Sequence, residues 1–482
     1  MGESLRAKAL HGTVWSMIER LSVQFVQFVI TIVMARLLTP NDYGLIGMLA
    51  IFISLSQVFI DGGFSSALIQ KNDRTSTDYS TVFHINLLIS VLVYGVLFFS
   101  APWIADFYAQ PILSPILRVY ALNLIINSLV AVHKTYLTIN LDFKTQAKIT
   151  LISAILSGTI GIIVAYNGAE VWALVIQSIS MAIFNVVFTY YWVSWHPTLV
   201  FSLESFHKLF TFGSKLLVAT VISAVYDNLY NLVIGKKFTS SDLGNYSRAQ
   251  SFPVLVSLTI STVLLRVSYP VLSSVQDDNQ KLLTIYKKYI QLSSFILFPL
   301  MMILCGIAQP LILTLLTEKW LQCVILLQVL CFSSMWNCII SINLNLLKVK
   351  GRSDLVLKLE VVKKTIAVSI LLITLLFHDV LVLCLGMVLY SLIALYINTH
   401  YTAKLLGYGF FLQIKDFGTY FLASLAVLAT CLFISSISKW MILSIFIAPV
   451  VSLSLYVIIC KLCHLSALNE AMLSLNTILS KL

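Results

Sequence analysis

The sequence predicts an all-α, polytopic membrane protein with about fourteen transmembrane helices, arranged as two six-helix lobes followed by two additional C-terminal helices. Three observations predict this fold class: the composition, the distribution of basic residues among the loops, and an internal repeat. Hydrophobic residues make up 59% of the 482 residues, and charged residues make up only 11%. A soluble globular chain carries about 25% charged residues, so most of this chain is expected to lie in a membrane.

Fourteen apolar segments are long enough to cross a bilayer, which requires about 20 residues in a helix. They lie near residues 12–35, 44–61, 82–101, 115–137, 147–167, 169–194, 210–234, 250–272, 289–308, 322–347, 360–377, 380–404, 417–436 and 440–462. An even number of spans places both termini on the same side of the membrane.

The basic residues predict the orientation of these spans. With both termini in the cytoplasm, most of the 31 Lys and Arg residues fall on the cytoplasmic side, as the positive-inside rule requires. The outer set consists of Arg36, Arg118, Lys236, Lys237, Arg248, Lys319 and Lys439. The net charge of +11 therefore reflects topology and contact with anionic membrane lipids. It does not indicate a nucleic-acid partner, because no soluble basic domain is present to bind one.

An internal repeat relates the two halves of the chain. Ala35–Gly44 is matched by Gly235–Gly244, with the cation, Thr, Asp and Gly in register. Further along, Pro102–Ile104 corresponds to Pro310–Ile312. Each copy of the first segment follows one long apolar helix and precedes another. Such duplication is typical of transporters whose two lobes face each other across a cavity.

The repeat predicts three structural blocks. Residues 1–200 form an N-terminal lobe of six helices, and residues 201–405 form a C-terminal lobe of six corresponding helices. Residues 406–482 add two transmembrane helices outside the repeat. No segment between the spans is long enough to fold as a separate domain. Function must therefore come from the membrane region.

Several short motifs resemble those of one transporter family. They are, in chain order, Leu37–Gly44, Asp61–Gln70, Leu243–Gln250, Tyr269–Ser274 and Lys319–Trp320. Their order and spacing resemble the Wzx-type polysaccharide exporters, the branch of the multidrug/oligosaccharidyl-lipid/polysaccharide superfamily that includes O-antigen, colanic-acid and teichuronic-acid exporters. The resemblance extends from the first span to about Lys415. One departure is Thr317-Glu318, where the family commonly has a glycine.

This resemblance implies a function and a setting. It implies a V-shaped, two-lobe flippase that moves undecaprenyl-pyrophosphate-linked oligosaccharide across the bacterial cytoplasmic membrane by alternating access. Its partners would be the lipid-linked oligosaccharide, membrane lipids, and a polysaccharide polymerase with its chain-length regulator. The alternative within the same superfamily is a cation-coupled exporter of small molecules. Twelve spans suffice for that class, so the two helices after Lys415 favour the lipid-linked substrate.

Independently of the resemblance, the first span carries a polar stripe. Ser16, Arg20, Gln24, Gln27 and Thr31 follow at intervals of four, four, three and four residues, so they share one side of a helix. An Arg in the membrane is unfavourable by about 2.5–3.5 kcal/mol on insertion scales, and such a residue usually faces a polar cavity. Its planar guanidinium binds phosphate oxygens in pairs, so Arg20 is the predicted contact of the pyrophosphate. The alternatives are an ion pair with Glu19 or a position near the cytoplasmic interface.

The seventh span carries the matching stripe of the second lobe, which consists of Thr220, Ser223, Asp227 and Asn231. We expect Gln24, Gln27, Asn228 and Asn231 to bind sugar hydroxyls. Asp227 is the carboxylate that lies deep inside a span of the second lobe, and it is predicted to bind a coupling proton or cation. A structural hydrogen-bonding role for Asp227 is the alternative.

Arg248 begins the eighth span near the outer face. It is predicted either to receive the glycan or to be a solvated helix end.

The sequence does not predict an enzyme. It contains no His/Cys cluster with metal-ligand spacing, no phosphate-binding Walker loop, and no cofactor motif. Asp277-Asp278 resembles the paired carboxylates of glycosyltransferases, but it is predicted to be a solvated turn. A membrane-bound polymerase or glycosyltransferase would usually have a large outer loop, and none is predicted here. Transport is therefore expected to use an ion gradient or the substrate gradient alone.

Overall fold

The computed structural model of the protein describes residues 22–437, 441–465 and 467–468. All regular elements in these residues are helices, which confirms the predicted all-α fold class. Contacts between residues divide the chain into two compact units, one ending at Gly244 and the other beginning at Asn245. The first unit thus includes helices that the repeat assigns to the second lobe. The units are defined by contacts between residues, whereas the lobes are defined by the sequence repeat. The lobe boundaries therefore stay a prediction.

The first unit contains ten helices in its described residues, followed by the start of an eleventh. They are α1 (Ser22–Leu37), α2 (Pro40–Asp61), α3 (Phe64–Gln70), α4 (Ser76–Tyr108), α5 (Leu113–Tyr120), α6 (Leu122–Ile139), α7 (Phe143–Tyr166), α8 (Val171–Trp192), α9 (Leu203–Asp227), α10 (Leu229–Lys237) and the first turn of α11 (Ser240–Ser274).

The second unit contains the rest of α11 and eight further α-helices in its described residues. They are α12 (Asn279–Gly306), α13 (Ala308–Leu315), α14 (Leu321–Ser334), α15 (Asn337–Val349), α16 (Ser353–Leu375), α17 (Val380–Leu406), α18 (Phe410–Ile437) and α19 (Met441–Leu462), with a short 3₁₀ helix at Glu318–Trp320. The two predicted additional spans correspond to α18 and α19.

Helices α2 and α11 begin in the same way because they begin with the repeated segment. The backbone N–H and the hydroxyl of Thr39 both donate to the Asp42 carboxylate, at 2.8 and 2.7 Å. Thr239 donates to Asp242 in the same manner, at 3.1 and 2.7 Å. In each pair the backbone N–H of the Asp donates back to the Thr hydroxyl oxygen. These reciprocal bonds satisfy N–H groups that a helix start leaves unpaired.

Helix α1 packs through one apolar face against α7 and α8. Ile30 and Met34 form a buried cluster with Ala165 and Ala173. A Cβ atom on Gly158 of α7 would lie 2.2 Å from the Ile30 side chain, so glycine is needed for this close approach. The small residues let the helices meet closely, as is common where membrane helices pack.

A buried polar network joins α12, α15 and α18 in the second unit. The Tyr286 hydroxyl donates to the amide oxygen of Asn343. Gln413 donates to the same oxygen at 3.0 Å and to the Thr402 hydroxyl at 3.2 Å, and its own oxygen accepts from Asn343 Nδ2 at 3.2 Å. Because Gln413 belongs to α18, the additional helices are an integral part of this unit.

The predicted count of fourteen spans is not confirmed. Within the described residues, twelve helices are long and apolar enough to cross a membrane. The first predicted span lies partly outside the described residues. The predicted span at 360–377 corresponds to α16, whose first half carries charged side chains, including the ion pair of Lys363 with Glu360 at 2.5 Å. That half is too polar for the helix to be counted among the twelve.

Two loop positions noted in the sequence have clear local structures. Asp278 caps α12, where its carboxylate accepts hydrogen bonds from the backbone N–H groups of Gln280 and Lys281. The bond from Lys281 contributes most to lowering the pKa of Asp278 below its ordinary value, which fits the predicted polar turn. Thr317, where the family commonly has glycine, has φ of +85°. A β-branched residue is strained in that conformation.

Candidate functional site

The polar stripe of α1 is described only in part. Ser16 and Arg20 lie outside the described residues, so the predicted pyrophosphate contact stays a prediction. Gln24 and Thr31 are half-buried and Gln27 is exposed. Their spacing places them beside the apolar face that holds Ile30 in the core, so both amides lie on the flank of the helix rather than inside the unit.

The seventh predicted span has a one-residue break at the centre of its polar stripe, although α9 and α10 together still form one span from Leu203 to Lys237. Helix α9 ends at Asp227 and α10 starts at Leu229, and Asn228 between them has φ of −101° and ψ of 2°. The Asn228 amide donates to the Ser54 hydroxyl of α2 at 2.9 Å and to the Ala224 carbonyl at 2.9 Å. These bonds fix the break against α2.

Asp227 and Asn231 lie on either side of this break. Asp227 is exposed, as are Thr220 and Ser223 earlier in the same stripe. Asn231 is half-buried, and its amide oxygen is enclosed without a hydrogen-bond donor among the described residues. The span made by α9 and α10 is the least buried of the twelve described spans. Polar groups thus concentrate on the membrane helix that has the least protein covering it.

Arg248 lies in the second unit and packs against a second motif of the sequence. Its guanidinium carbon is 5.8 Å from the centre of the Trp320 ring, and Trp320 is fully buried. Asn245, one turn earlier, donates to the Gln322 side chain at 3.2 Å. The start of α11 is therefore fixed against the segment that precedes α14. Arg248 is half-buried rather than a fully solvated helix end.

The two repeated segments contact each other directly within the first unit. A Cβ atom on Gly44 would lie 1.7 Å from the Ser240 carbonyl oxygen, and one on Gly244 would lie 1.8 Å from the Pro40 carbonyl oxygen. The Ser240 hydroxyl also donates to the Asn41 side chain. The glycines of the repeat therefore permit a reciprocal close approach of two helix starts. The sequence showed the repeat but not that its two copies meet.

A polar cavity of about 270 Å³ lies between α2, α4 and α6 of the first unit. Its polar lining consists of Gln57, Asp61, Asn86, Asn127, Ser128 and Lys134. None of these residues is among the binding residues predicted from the sequence. Their polarity could have indicated them, because polar side chains within apolar spans usually mark functional positions. No group of three or more His, Cys, Asp or Glu side chains in the described residues could hold a metal ion.

Twelve apolar spans in the described residues, together with a duplicated helix start, are typical of a membrane transporter of the all-helical, internally repeated class. The chain belongs to the polysaccharide biosynthesis protein family, whose model matches residues 33–325. This membership confirms the resemblance to Wzx-type exporters that the sequence motifs indicated.

Two characterised relatives show how far the similarity extends. The chain is 27% identical over 356 residues to the teichuronic acid biosynthesis protein TuaB of Bacillus subtilis, covering 73% of each chain. It is 25% identical over 366 residues to the lipopolysaccharide biosynthesis protein WzxC of Escherichia coli, covering 75% of this chain and 74% of WzxC.

Two solved structures show which known fold this chain shares. The lipid II flippase MurJ, in an inward closed conformation, superimposes with a TM-score of 0.74 at 14% identity, covering 94% of this chain and 99% of MurJ. An inward-facing multidrug transporter of the MATE family gives a TM-score of 0.60 at 13% identity, covering 81% of this chain and 98% of that transporter. The MurJ fold thus matches more of this chain than the MATE fold does.

Proposed function

We propose that this protein is a flippase that moves an undecaprenyl-pyrophosphate-linked oligosaccharide from the inner to the outer leaflet of the bacterial cytoplasmic membrane by alternating access. The repeat unit of an O-antigen, capsule or exopolysaccharide is the substrate class. Membership of the polysaccharide biosynthesis family is the observation that carries the proposal.

The extent of the fold match supports a lipid-linked substrate over a small-molecule export function. Two superimposed MATE structures cover 81% and 84% of this chain, whereas the MurJ structure covers 94%. In the second unit, α18 is joined to α12 and α15 by the buried network of Gln413, so the additional helices are not a loose appendage. A fold that includes α18 and α19 fits a substrate with a long lipid tail.

The proposal places both termini in the cytoplasm and assigns the helix break at Asn228 to the translocation path. Asp42 and Asp242 would then lie on the outer side, where the two repeated segments meet. Their contact would close the outer end of the path and would separate during export. A polymerase and a chain-length regulator would receive the glycan on that side.

The residue roles follow the chemistry of the headgroup. Arg20 would bind the pyrophosphate through paired hydrogen bonds, and Gln24, Gln27, Asn231 and Arg248 would contact the glycan. Asn228 already donates to Ser54 and Ala224, so its oxygen would accept from a sugar hydroxyl while its nitrogen holds the break. Asp227 would bind the coupling proton or cation.

Deletion of the gene tests the proposal. The deletion strain should accumulate lipid-linked repeat units on the inner leaflet and lose surface polysaccharide, and the native gene should restore export. An unchanged glycan distribution combined with altered sensitivity to drugs would overturn the proposal in favour of small-molecule export.

Arg20 variants test the headgroup contact in the same strain. Arg20→Ala should yield inserted, folded protein without export, because removing the charge relieves an insertion penalty. Arg20→Lys should export partially, because it keeps the charge and loses the planar fork. If Arg20 only pairs with Glu19, the double change of Arg20→Ala and Glu19→Ala should restore export, which would overturn the assignment.

Asp227→Asn tests the coupling role. Export in vesicles should lose its dependence on the proton or sodium gradient, because an amide cannot bind the coupling ion as a carboxylate does. Thr220→Val is the control, since Thr220 is exposed on the same stripe, has no titratable group and is not assigned to substrate binding. An unchanged response of Asp227→Asn to the gradients would remove Asp227 from the mechanism.

A further inference from the structure

The cavity between α2, α4 and α6 contains a fully buried amide that has no hydrogen-bond partner among the described residues. Asn86 on α4 has no exposed surface, and neither its amide nitrogen nor its amide oxygen has a partner within the described part of the chain. It lines the cavity directly. Buried polar groups are nearly always paired, so an unpaired amide facing a cavity indicates that something in the cavity pairs with it.

The same cavity is lined by a cation, Lys134. Lys134 on α6 is half-buried, and its ammonium forms no ion pair with the described residues. Asp61 on α2 lines the cavity as well, but the hydrogen bond recorded for its carboxylate comes from Ser65, at 2.5 Å. A partly buried ammonium is unfavourable without a compensating charge. The cavity therefore favours an anion near α4 and α6.

We propose that this cavity binds the phosphate group of a membrane lipid, and specifically the phosphate next to the first sugar of the lipid-linked oligosaccharide. The Lys134 ammonium and the Asn86 amide nitrogen donate to the phosphate oxygens. The Asp61 carboxylate accepts from a hydroxyl of the attached sugar. The identity of the lipid as the transported substrate rests on the proposed function. The binding of a phosphate rests only on the residues that line the cavity.

The size of the cavity fits this assignment. Pockets for drug-sized ligands measure about 300–1,000 Å³. A volume of about 270 Å³ admits one phosphate with part of one sugar and excludes a complete oligosaccharide. The predicted topology places Asp61 and Lys134 at the cytoplasmic ends of their helices, the side on which a lipid-linked substrate is loaded. The cavity would thus hold the headgroup before it moves across the membrane.

Binding to the purified full-length protein in nanodiscs tests the proposal. The probes are undecaprenyl pyrophosphate, undecaprenol without phosphate, and phosphatidylglycerol, with binding measured by native mass spectrometry. Lys134→Met and Asn86→Leu remove one donor each at similar side-chain volume. Lys148→Met is the matched control, because Lys148 lies on the same predicted side, 4.1 Å from the Trp192 ring, and does not line the cavity.

The variants should weaken binding of undecaprenyl pyrophosphate by about 10- to 100-fold, as expected for loss of a hydrogen bond to a charged group. Binding of undecaprenol should not change, and the Lys148→Met protein should bind like the native protein. Thermal unfolding checks the fold, and Lys134→Gln replaces Lys134→Met if that variant is unstable. Native-like binding by the folded Lys134 and Asn86 variants would overturn the proposal.

Three further outcomes distinguish the source of the phosphate and separate the two proposals. Equal binding of phosphatidylglycerol, lost in the same variants, would support the phosphate site and assign it to bulk phospholipid, overturning the substrate assignment. If the variants bind normally while gene deletion still causes lipid-linked glycans to accumulate, the site is wrong and the flippase function stands. If gene deletion causes no accumulation of lipid-linked glycans but the Lys134 and Asn86 variants lose binding, the phosphate site stands and the flippase function is wrong.

Discussion

Asn86 of the first unit and Asn343 of the second are both fully buried asparagines of membrane helices, but their surroundings are opposite. Asn343 is paired through both atoms of its amide, with Tyr286, Gln413 and the Ile339 carbonyl. Asn86 has no partner among the described residues and faces a cavity. A buried amide that is fully paired holds helices together, whereas an unpaired one is available to a ligand.

The largest effect is expected from Asn343→Leu. It would remove the acceptor of the buried Tyr286 hydroxyl and the donor to the Gln413 amide oxygen, so the free energy of unfolding should fall by about 2–4 kcal/mol. Denaturant or thermal unfolding in detergent measures this loss. Asn140→Leu, at the exposed end of α6, is the control, and equal stability of the two variants would contradict the role of the network.

Asn86→Leu should change stability in the opposite direction. Replacing an unpaired buried amide by an apolar side chain of similar size removes a desolvation penalty, so the free energy of unfolding should rise by about 1–2 kcal/mol. Export of lipid-linked glycan should nevertheless decrease. A loss of stability as large as that of Asn343→Leu would show that Asn86 has a structural partner, and the contrast between the two residues would fail.

The same contrast applies to the two asparagines at the break of the seventh span. Asn228→Leu should lower the free energy of unfolding by about 1–2 kcal/mol, because its amide donates to Ser54 and Ala224. Asn231→Leu should leave stability nearly unchanged and reduce export. Ser54→Ala is the control for the first variant, since it removes one of the same two bonds. Equal losses of stability in both asparagine variants would contradict the distinction.

The smallest effect concerns backbone strain rather than pairing. Thr317→Gly should raise the free energy of unfolding by about 1 kcal/mol, because glycine adopts the φ of +85° without steric conflict. The hydroxyl of Thr317, which is buried without a partner in the described residues, is removed as well. Thr314→Gly, inside α13, should instead be destabilising. A stability loss in Thr317→Gly would mean that the positive φ is not a source of strain.

The sequence was sufficient to predict the helical membrane fold, the family and the polar stripe of α9, because each depends on patterns along the chain. The glycine expected near Thr317 was also informative, since the structure has the glycine-type conformation there. The cavity could not be predicted, because Gln57, Asn86 and Lys134 come from three different helices. Only their packing shows that Asn86 has no partner in the described part of the chain, whereas the equally polar Asn343 is paired.

The break at Asn228 is a second feature that could not be predicted from the sequence. The stripe of Thr220, Ser223 and Asp227 predicted one continuous helix, because no proline or glycine interrupts it. The structure interrupts the helix where the Asn228 side chain bonds to Ser54, which is 174 residues away in the chain. Interactions between distant residues of this kind leave no local pattern.

The reciprocal contact of Gly44 and Gly244 has a consequence for the biogenesis of the protein. Helix α2 is inserted early in synthesis, but its partner at Ser240 leaves the ribosome about 200 residues later. At about 5–20 residues per second, this interval lasts roughly 10–40 seconds. During that time the glycine face of α2 is uncovered, and the first unit cannot close. The nascent chain therefore passes through a long-lived membrane intermediate in which this face is open to lipid, chaperones or a second copy of the chain.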